Sequence, residues 1–474
     1  MKTLSLLIVC ASFLSASVAS DPEVASAIRL YQAWVEAQMA HRGQPGVSIG
    51  IVHDQELIWA QGFGYADLEK KIPATPKTLY RMASNTKMFT ALAVMQLRDE
   101  GRLQLDDPVA RRLPWFKVRN AHPDGPVITI RHLLTHTSGL PREAALTNWT
   151  DVKMPSRQQM IDGLSSQETV LPVETQWKYS NLALTLAGEI VQAVSGQPYV
   201  DYIHKNILEP LGMTSTTVVL PAEHRPRLAT GYGRRMPGDA RSLRPYLDTA
   251  GVIPAGNITS NVEDFARFAS LQFRDGPRRG AQVLRGSTLR EMHRVHWMEP
   301  SWRRGWGLGF HTWRLGERVL VGHGGSLPGF RTHTYISPAD KIAVLVMTNA
   351  DDGDPQFYGD QAFQLVAPAI AKAAASPKPA KADPAWARYL GKYRNASGDS
   401  QVMVLNDELV LLTPADPYPR PSMLKLIPAG EHTFRIQGDI GYAALGETAR
   451  FEVGADGKVA RLWIGPAAYT LPMK

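Results

Sequence analysis

The sequence predicts an α+β chain: one antiparallel sheet with helices packed on it, a helical lobe between its strands, and a small all-β domain at the C-terminus. Three observations predict it. Strand-like runs stand at both ends of the segment from about residue 25 to residue 373, with helical patterning between them, so the ends can pair as one sheet while the middle packs as a lobe. Ala374-Ala375-Ser376-Pro377-Lys378-Pro379-Ala380-Lys381 is low in complexity and reads as a linker, placed at residues 374–384. Beyond it, Gln401 to Leu412 breaks at Asn406-Asp407 and Ala449 to Ile464 breaks at Gly454-Ala455-Asp456-Gly457, which are hairpin signals. Residues 385–474 therefore form the β domain, a barrel-like unit.

Composition bounds what such a chain can be. Its 474 residues, 44% hydrophobic and 20% charged, are ordinary globular material with length for two or three domains. Residues 1–20 read as a secretory signal, with Lys2, an apolar run from Leu4 to Leu14, and small residues from Ser15 to Ser20. The expected location is periplasmic or secreted. That run is too short to span a bilayer and no later run is long enough, so no integral membrane segment is expected. The one cysteine, Cys10, falls inside the signal, which leaves the mature chain without thiol or disulfide and dependent on packing. It follows bulky Val9 in mid-run, a poor match to a lipoprotein processing site. Asn-X-Ser/Thr triplets start at Asn148, Asn257 and Asn395, and they matter only in a glycosylating host. The formal net charge is +8. Its one basic cluster, Arg225, Arg227, Arg234, Arg235, Arg241 and Arg244, lacks a nucleic-acid motif beside it and reads as a solvated loop, so no nucleic-acid partner is expected.

In chain order, Val24, Ile28, Tyr31, Val35 and Met39 recur at helical spacing until Gly43, Pro45 and Gly46 end the pattern. Val47 to Val52 and Leu57 to Phe63 follow as a hairpin across His53-Asp54-Gln55-Glu56. Gly46-Val47-Ser48-Ile49-Gly50 imitates a G-x-S-x-G nucleophile elbow, but that elbow needs a helix after the serine and here a strand returns, so Ser48 is structural. Ser84-Asn85-Thr86-Lys87 opens an apolar helix in which Phe89, Leu92, Ala93 and Leu97 recur. Ser84 and Lys87, three apart, share a face of the first turn, so a hydroxyl and an amine lie within reach of each other. Alone, the pair reads better as a capping serine and a lysine that snorkels to solvent.

From Ser84 to about Met298 the pattern is mostly helical. His132 and His136 have an i, i+4 spacing, but with no His-Glu start and no third ligand evident, a metal is not expected. Trp177-Lys178-Tyr179-Ser180-Asn181 leads into a helix striped by Leu182, Leu186 and Ile190, with Ser180 as cap and Gly196 as stop. Tyr179 thus stands just before a helix, where its hydroxyl can project into a cleft. Trp297, Trp302, Trp306 and Trp313 can wall an apolar pocket or pack in the core. Val319 to Val321, Thr332 to Ile336 and Ile342 to Met347 read as strands, the last two joined through Ser337-Pro338-Ala339-Asp340, with His323-Gly324-Gly325-Ser326-Leu327-Pro328-Gly329 lying between the first two. A helix from about Gln361 to Ala373 follows.

Ser84-Lys87, Tyr179 with Asn181, and His323-Gly324-Gly325 occur in that order, each at an element boundary. Together they resemble the S-x-x-K, Y-x-N and K-T-G (or H-x-G) motifs of the class C β-lactamase-related serine hydrolases, a family of β-lactamases, penicillin-binding D-Ala-D-Ala peptidases, D-aminopeptidases and certain carboxylesterases. The resemblance covers about residues 25 to 373 and is supported by His132 to Leu140, by Pro210-Leu211-Gly212-Met213 and by Pro254-Ala255-Gly256. It implies a β-lactamase-like catalytic domain over residues 21–373, with Ser84 as nucleophile and Lys87 with Tyr179 as its base.

A buried lysine loses charge and a tyrosine can share the proton, so the two titrate as one coupled unit. The resemblance further implies an oxyanion held by the N–H groups of Ser84 and Ser326, substrate contact from Asn181, and a substrate-binding strand through His323 and Gly325. No cofactor is implied. His323, mostly neutral at pH 7, stands where penicillin-recognising members carry a carboxylate-binding lysine, so weaker carboxylate recognition is expected there. The expected function is a secreted serine hydrolase of small esters or peptide amides. A β-lactamase or D-Ala-D-Ala carboxypeptidase is the alternative, and a non-catalytic sensor of cell-wall fragments the reading from another class. The β domain resembles lipocalin-like or β-barrel modules appended to relatives, and its expected role is to cap the cleft or to mediate homo-oligomerisation.

Overall fold

Asp21 starts the first long helix, α1 (Pro22–Arg42), by accepting the N–H groups of Glu23 at 2.8 Å and Val24 at 3.1 Å, and Gly43 ends it with a φ of 59°. The five residues at helical spacing are the five it buries. Strands β1 (Gly46–His53) and β2 (Glu56–Asp67) pair as the expected hairpin, with Asp54 at a φ of 51° in the turn. Ser48 lies inside β1, its hydroxyl bonded to the Thr75 carbonyl and to the Tyr80 hydroxyl, each at 2.9 Å.

The lobe is built on α2 (Thr86–Asp99), α3 (Ile130–Thr135) and α4 (Asn181–Ser195). α2 is buried on every side from Thr86 to Leu97, as befits a helix at the centre of a lobe. Ser180 caps α4 by accepting the Ala183 N–H at 3.0 Å, and Gly196 closes it with a φ of 73°. Strands β3 (Arg318–Leu327), β4 (Phe330–Ser337) and β5 (Ile342–Thr348) then return to the sheet, followed by α5 (Pro355–Leu365) and α6 (Ala367–Ala374).

The computed structural model describes residues 18–150, 153–276, 280–375, 382–416, 423–438, 444–466 and 468–473. Residues 1–17 of the expected signal and 376–381 of the expected linker lie outside the described residues. Among those described, nine antiparallel strands form one sheet in the order Ile72–Pro73, β2, β1, β5, β4, β3, His311–Leu315, Arg304–Trp306, Trp297–Met298. β1 pairs with β5 from Val47↔Thr348 to His53↔Ile342, which joins the two ends of the segment as expected. One face carries α1, α5 and α6 around Tyr31, Tyr335 and Phe363. The other carries the lobe around Phe89, Phe265 and Phe268.

The chain divides into two units, one ending at Ala374 and one starting at Ala375. In the second, eight strands from Gly391–Asn395 to Ala468–Pro472 close into a barrel. Closure leaves no unpaired edge, and Tyr389, Tyr393, Phe434 and Phe451 fill its core.

Two expectations need correction and a third needs refining. The strand expected to stop at Val321 continues through His323-Gly324-Gly325-Ser326 to Leu327. Glycines weaken a strand signal, yet here they are paired in the ladder, Gly324 with His333 and Gly325 with Thr332. The helix expected from Gln361 starts six residues earlier, because Asp354 caps it (Phe357 N–H, 3.2 Å) and Pro355 needs no donor at its first position. It breaks at Val366, ahead of Pro368, which has no N–H to continue the ladder. The arginine cluster is solvated as expected at Arg225, Arg227, Arg234, Arg235 and Arg244, but it is tied down rather than loose. Arg241, half-buried, is paired with Asp352 at 2.6 Å, Arg244 with Asp351 at 2.6 Å, and Arg225 lies over the Tyr246 ring.

Sheet and lobe are clamped together at the start of α2. Asn85, fully buried, donates to the Met82 carbonyl (3.1 Å) and to Thr332 Oγ1 (2.9 Å), and accepts from Thr334 Oγ1 at 2.8 Å. Thr86 donates to the Ala83 carbonyl at 2.7 Å and accepts the Ile258 N–H at 3.0 Å. Asn85→Ala strands the buried Thr334 hydroxyl and takes a donor from the buried Thr332 hydroxyl. It is expected to lower unfolding free energy by about 2–4 kcal/mol, measured by urea denaturation. A loss below about 0.5 kcal/mol, the scale of a surface change, would contradict the clamp.

Candidate active site

Ala83 holds a φ of 49°, uncommon for a residue with a Cβ. It turns the chain so that Ser84 heads a short 3-10 turn, Ala83–Asn85, at the foot of α2. The opposite wall is β3. A Cβ on Gly325 would fall 2.3 Å from the Met82 carbonyl and 2.3 Å from Thr332 Oγ1, so only glycine lets this strand pass against the segment that presents Ser84.

Lys87 is 0% exposed. Its amine lies 3.0 Å from Ser84 Oγ, 2.8 Å from Asn181 Oδ1 and 2.7 Å from the Ala255 carbonyl. Burial pushes its pKa well below the ordinary lysine value, the Arg142 guanidinium pushes the same way and Glu143 opposes them. A neutral amine has two N–H groups and one lone pair. Here two carbonyl oxygens take the N–H groups, and the lone pair is left for the Ser84 hydroxyl.

Tyr179 donates its hydroxyl to Ser84 Oγ at 2.8 Å. Burial raises its pKa, against the Ser84 hydrogen bond and Arg142, so the phenol stays protonated. His136 stacks on its ring at 4.6 Å and accepts the Ser180 N–H at Nδ1, 3.1 Å. His132, its i−4 neighbour, instead accepts the Thr129 N–H at 3.1 Å and caps α3. The two histidines thus face different tasks, and among the described residues no cluster of three or more His, Cys, Asp or Glu could hold a metal.

Asn181, expected to meet the substrate, has both ends of its amide engaged inside the protein. Its oxygen accepts from Lys87, and its NH2 group donates to both oxygens of Glu143, at 2.9 and 3.0 Å. Glu143 in turn pairs with Arg142 at 3.1 Å, whose guanidinium stands 5.0 Å from the Tyr179 ring centre.

His323 Nδ1 lies 2.6 Å from the Gly324 carbonyl. A carbonyl can only accept, so Nδ1 carries the proton and Nε2 presents a lone pair. Burial first and the Lys87 charge second hold its pKa well below the ordinary value, so it is neutral at pH 7. Trp306 stacks against it at 5.8 Å and meets Trp177 at 5.0 Å. The four tryptophans divide: Trp306 backs the site, Trp297 pairs with it on the edge strand, Trp313 stacks on His311 in the sheet, and Trp302 is 77% exposed.

These residues open on a cleft of about 1110 Å³ that also reaches Ser326, whose side chain is exposed. Four arginines and three carboxylates line it. Reasoning from sequence missed Arg142, Glu143 and Arg331 altogether, and it placed Arg234 and Arg244 on the surface, where they stand, without placing them at the cleft. For the first two, the signal available was their position directly after Leu140-Pro141 in the stretch that supports the resemblance.

A family model described as Beta-lactamase matches residues 31–368. Protein flp of Staphylococcus aureus (strain NCTC 8325 / PS 47) is 29% identical over 310 residues, covering 64% of this chain and 59% of that protein. The chain therefore matches about three fifths of that relative's length. An octameric penicillin-binding protein homologue from Pyrococcus abyssi superposes with a TM-score of 0.63 at 26% identity, covering 94% of this chain and 99% of the other. D-amino acid amidase from Ochrobactrum anthropi SV3 superposes with a TM-score of 0.59 at 26% identity, over 73% and 98%.

Glu143 and Arg142 act on Lys87 in opposite directions, which fixes the sign of a paired experiment. Removing the carboxylate lowers the amine's pKa further, so a base that works deprotonated stays active to lower pH. In Glu143→Gln the acid limb of the kcat/KM–pH profile is expected to move down by roughly half a unit or more, and in Arg142→Gln to move up. Shifts of the same sign in both variants would contradict this account of the site.

Proposed function

The chain belongs to the β-lactamase family, and from that membership we propose that it is a periplasmic or secreted serine hydrolase cleaving small esters or peptide amides through an acyl-enzyme on Ser84. The observation that carries the reading is the Lys87 amine, buried and 3.0 Å from Ser84 Oγ, with its other two partners both carbonyl oxygens.

In the first step Oγ attacks the substrate carbonyl carbon while its proton passes to Lys87 Nζ. The carbonyl oxygen becomes an oxyanion, held by the N–H groups of Ser84 and Ser326. Collapse expels the alcohol or amine, which takes a proton from Lys87 through the Tyr179 hydroxyl. A water then attacks the acyl carbon, gives its proton to the same pair, and Ser84 is restored as the acid departs. Asn181 serves this sequence by fixing the amine, and Trp177 and Trp306 exclude water around His323 and Tyr179.

His323 brings no positive charge to the wall of the cleft where it stands, which supports esters and amides over β-lactams and over D-Ala-D-Ala carboxypeptidase substrates. An intact nucleophile and base weigh against a silent sensor of cell-wall fragments. Assembly into homo-oligomers through the barrel domain is part of the same reading. It draws support from the two-domain alignment with the octameric Pyrococcus homologue, and a single-copy mass by light scattering would remove it.

A fluorophosphonate probe is expected to leave one adduct on Ser84 by mass spectrometry, absent in Ser84→Ala. No adduct would favour the sensor. Across p-nitrophenyl esters, D- and L-amino acid anilides and nitrocefin, kcat/KM is expected to be highest on an ester or anilide. A nitrocefin value equal to the best of them would reverse the ranking.

A further inference from the structure

Tyr179 can relay a proton only while its hydroxyl stays on Ser84 Oγ, and a tyrosine side chain has rotamers to choose from unless its surroundings fix one. His136 supplies those surroundings. It ends α3 with a φ of 58°, a left-handed turn that few side chains adopt, and it is 2% exposed. From that turn it meets the segment carrying Tyr179 at three points. Its carbonyl accepts the Lys178 N–H at 2.8 Å, its Nδ1 accepts the Ser180 N–H at 3.1 Å, and its ring stacks on the Tyr179 ring at 4.6 Å with 30° between the planes. The N–H groups on either side of Tyr179 and the ring between them are thus tied to one residue.

An imidazole suits this double duty. Its acceptor lies in the ring plane and its face lies across that plane, so one side chain can take an N–H and stack at once. A phenyl ring offers the face without the acceptor, and a carboxamide the acceptor without the ring. Accepting at Nδ1 leaves the proton on Nε2 and the ring neutral. Burial first, and then the positive charge on Lys87, Arg142 and Lys178, disfavour a second proton. Trp306 packs on the imidazole at 5.4 Å and backs it in turn.

We propose that His136 is the positioning residue for Tyr179, holding the phenol hydroxyl on Ser84 Oγ through both its Nδ1 acceptor and its stacked ring, and so governing protonation of the leaving group. It does not itself line the cleft and acts through Tyr179. The catalytic consequence rests on the hydrolase reading, whereas the placement of the hydroxyl does not.

The relay matters in proportion to the leaving group's need for a proton. p-Nitrophenoxide departs as a stable anion, whereas ethoxide and the anilide nitrogen must be protonated as their bond to the acyl carbon breaks. kcat/KM, which reports acylation, is therefore compared for p-nitrophenyl butyrate, ethyl butyrate and butyranilide. In His136→Gly, which suits the left-handed turn but removes ring and acceptor, the last two are expected to lose at least about tenfold more than the first, as in Tyr179→Phe. A merely structural role would lower all three alike. The double variant is expected to match Tyr179→Phe within about twofold, because no hydroxyl is left to position. His136→Asn tolerates the turn and keeps the acceptor, so it loses only the stack. The same selectivity is expected there at about threefold, and this variant carries the test if thermal denaturation shows the glycine variant unfolded. In the crystal structure of the folded variant the Tyr179 hydroxyl is expected beyond about 3.5 Å from Ser84 Oγ, outside hydrogen-bond range.

Equal losses on all three substrates, losses that multiply in the double variant, or a hydroxyl still bonded to Ser84 Oγ in that crystal structure would each overturn the proposal. Wild-type protein that turned over none of the three would sink the hydrolase reading, and the crystal structure alone would then decide whether His136 places the hydroxyl.

Discussion

A lysine amine without access to water governs this fold. Moving an ammonium group into a low-dielectric interior costs several kcal/mol, and the structure tolerates Lys87 by letting its charge become unfavourable and surrounding the amine with hydrogen-bond partners. Those partners come from Ser84, Asn181 and Ala255, which are far apart in the chain. Meeting that one demand requires the foot of α2, the start of α4 and the segment around Ala255 to converge. Ser84 then inherits a neighbouring lone pair, and the same burial that neutralises the amine keeps Tyr179 protonated. Burial therefore divides the two groups into an amine suited to accept a proton and a hydroxyl suited to pass one.

The middle residues of Ser84-Asn85-Thr86-Lys87 hold this arrangement against the sheet. Asn85 reaches Thr332 and Thr334 on β4, and Thr86 reaches Ile258 in the lobe. Gly325 supplies the complementary space on β3. Position and protonation are thus set by neighbouring residues on one short turn: the outer pair faces the cleft and the inner pair grips the scaffold. Glu143 extends the arrangement outward, because its carboxylate accepts both N–H groups of the Asn181 amide and so leaves the amide oxygen for Lys87. A carboxamide is nearly symmetric in shape, and the charge beside it breaks the tie.

Electrostatics along the cleft run in two registers of one strand. His323 and Gly325 face the lobe, where burial drives Lys87, His136 and Tyr179 toward neutrality. Ser326 faces the side where Arg331, Arg234 and Arg244 retain contact with solvent. The strand's alternation separates a dry region suited to proton transfer from a wetter, more cationic one. The basic ribbon that looks like loose surface in the sequence joins this wall because Asp351 and Asp352, just after β5, draw Arg244 and Arg241 onto it.

Local chemistry made much of this legible beforehand. The spacing of Val24 to Met39, the hairpin after Pro45, the cap and stop of α4, the turns of the barrel and the three short motifs are written within a few residues each, since propensity, capping and alternation act over one or two turns. By the same rule Ser48 reads as structural, because strand-turn-strand is a local pattern, and its hydroxyl is bonded within the fold. What the sequence left undetermined depends on partners distant in the chain. The glycine-rich run through Gly325 looks like a loop until β4 is paired beside it, and Arg241 and Arg244 look unpaired until Asp352 and Asp351 are brought to them. Asn181 looks free for substrate until Glu143 and Lys87 take its two ends. Sequence alone determined which residues could do the chemistry. Tertiary structure decided their protonation and orientation, because burial and hydrogen-bond partners set those, and both are properties of the packed chain.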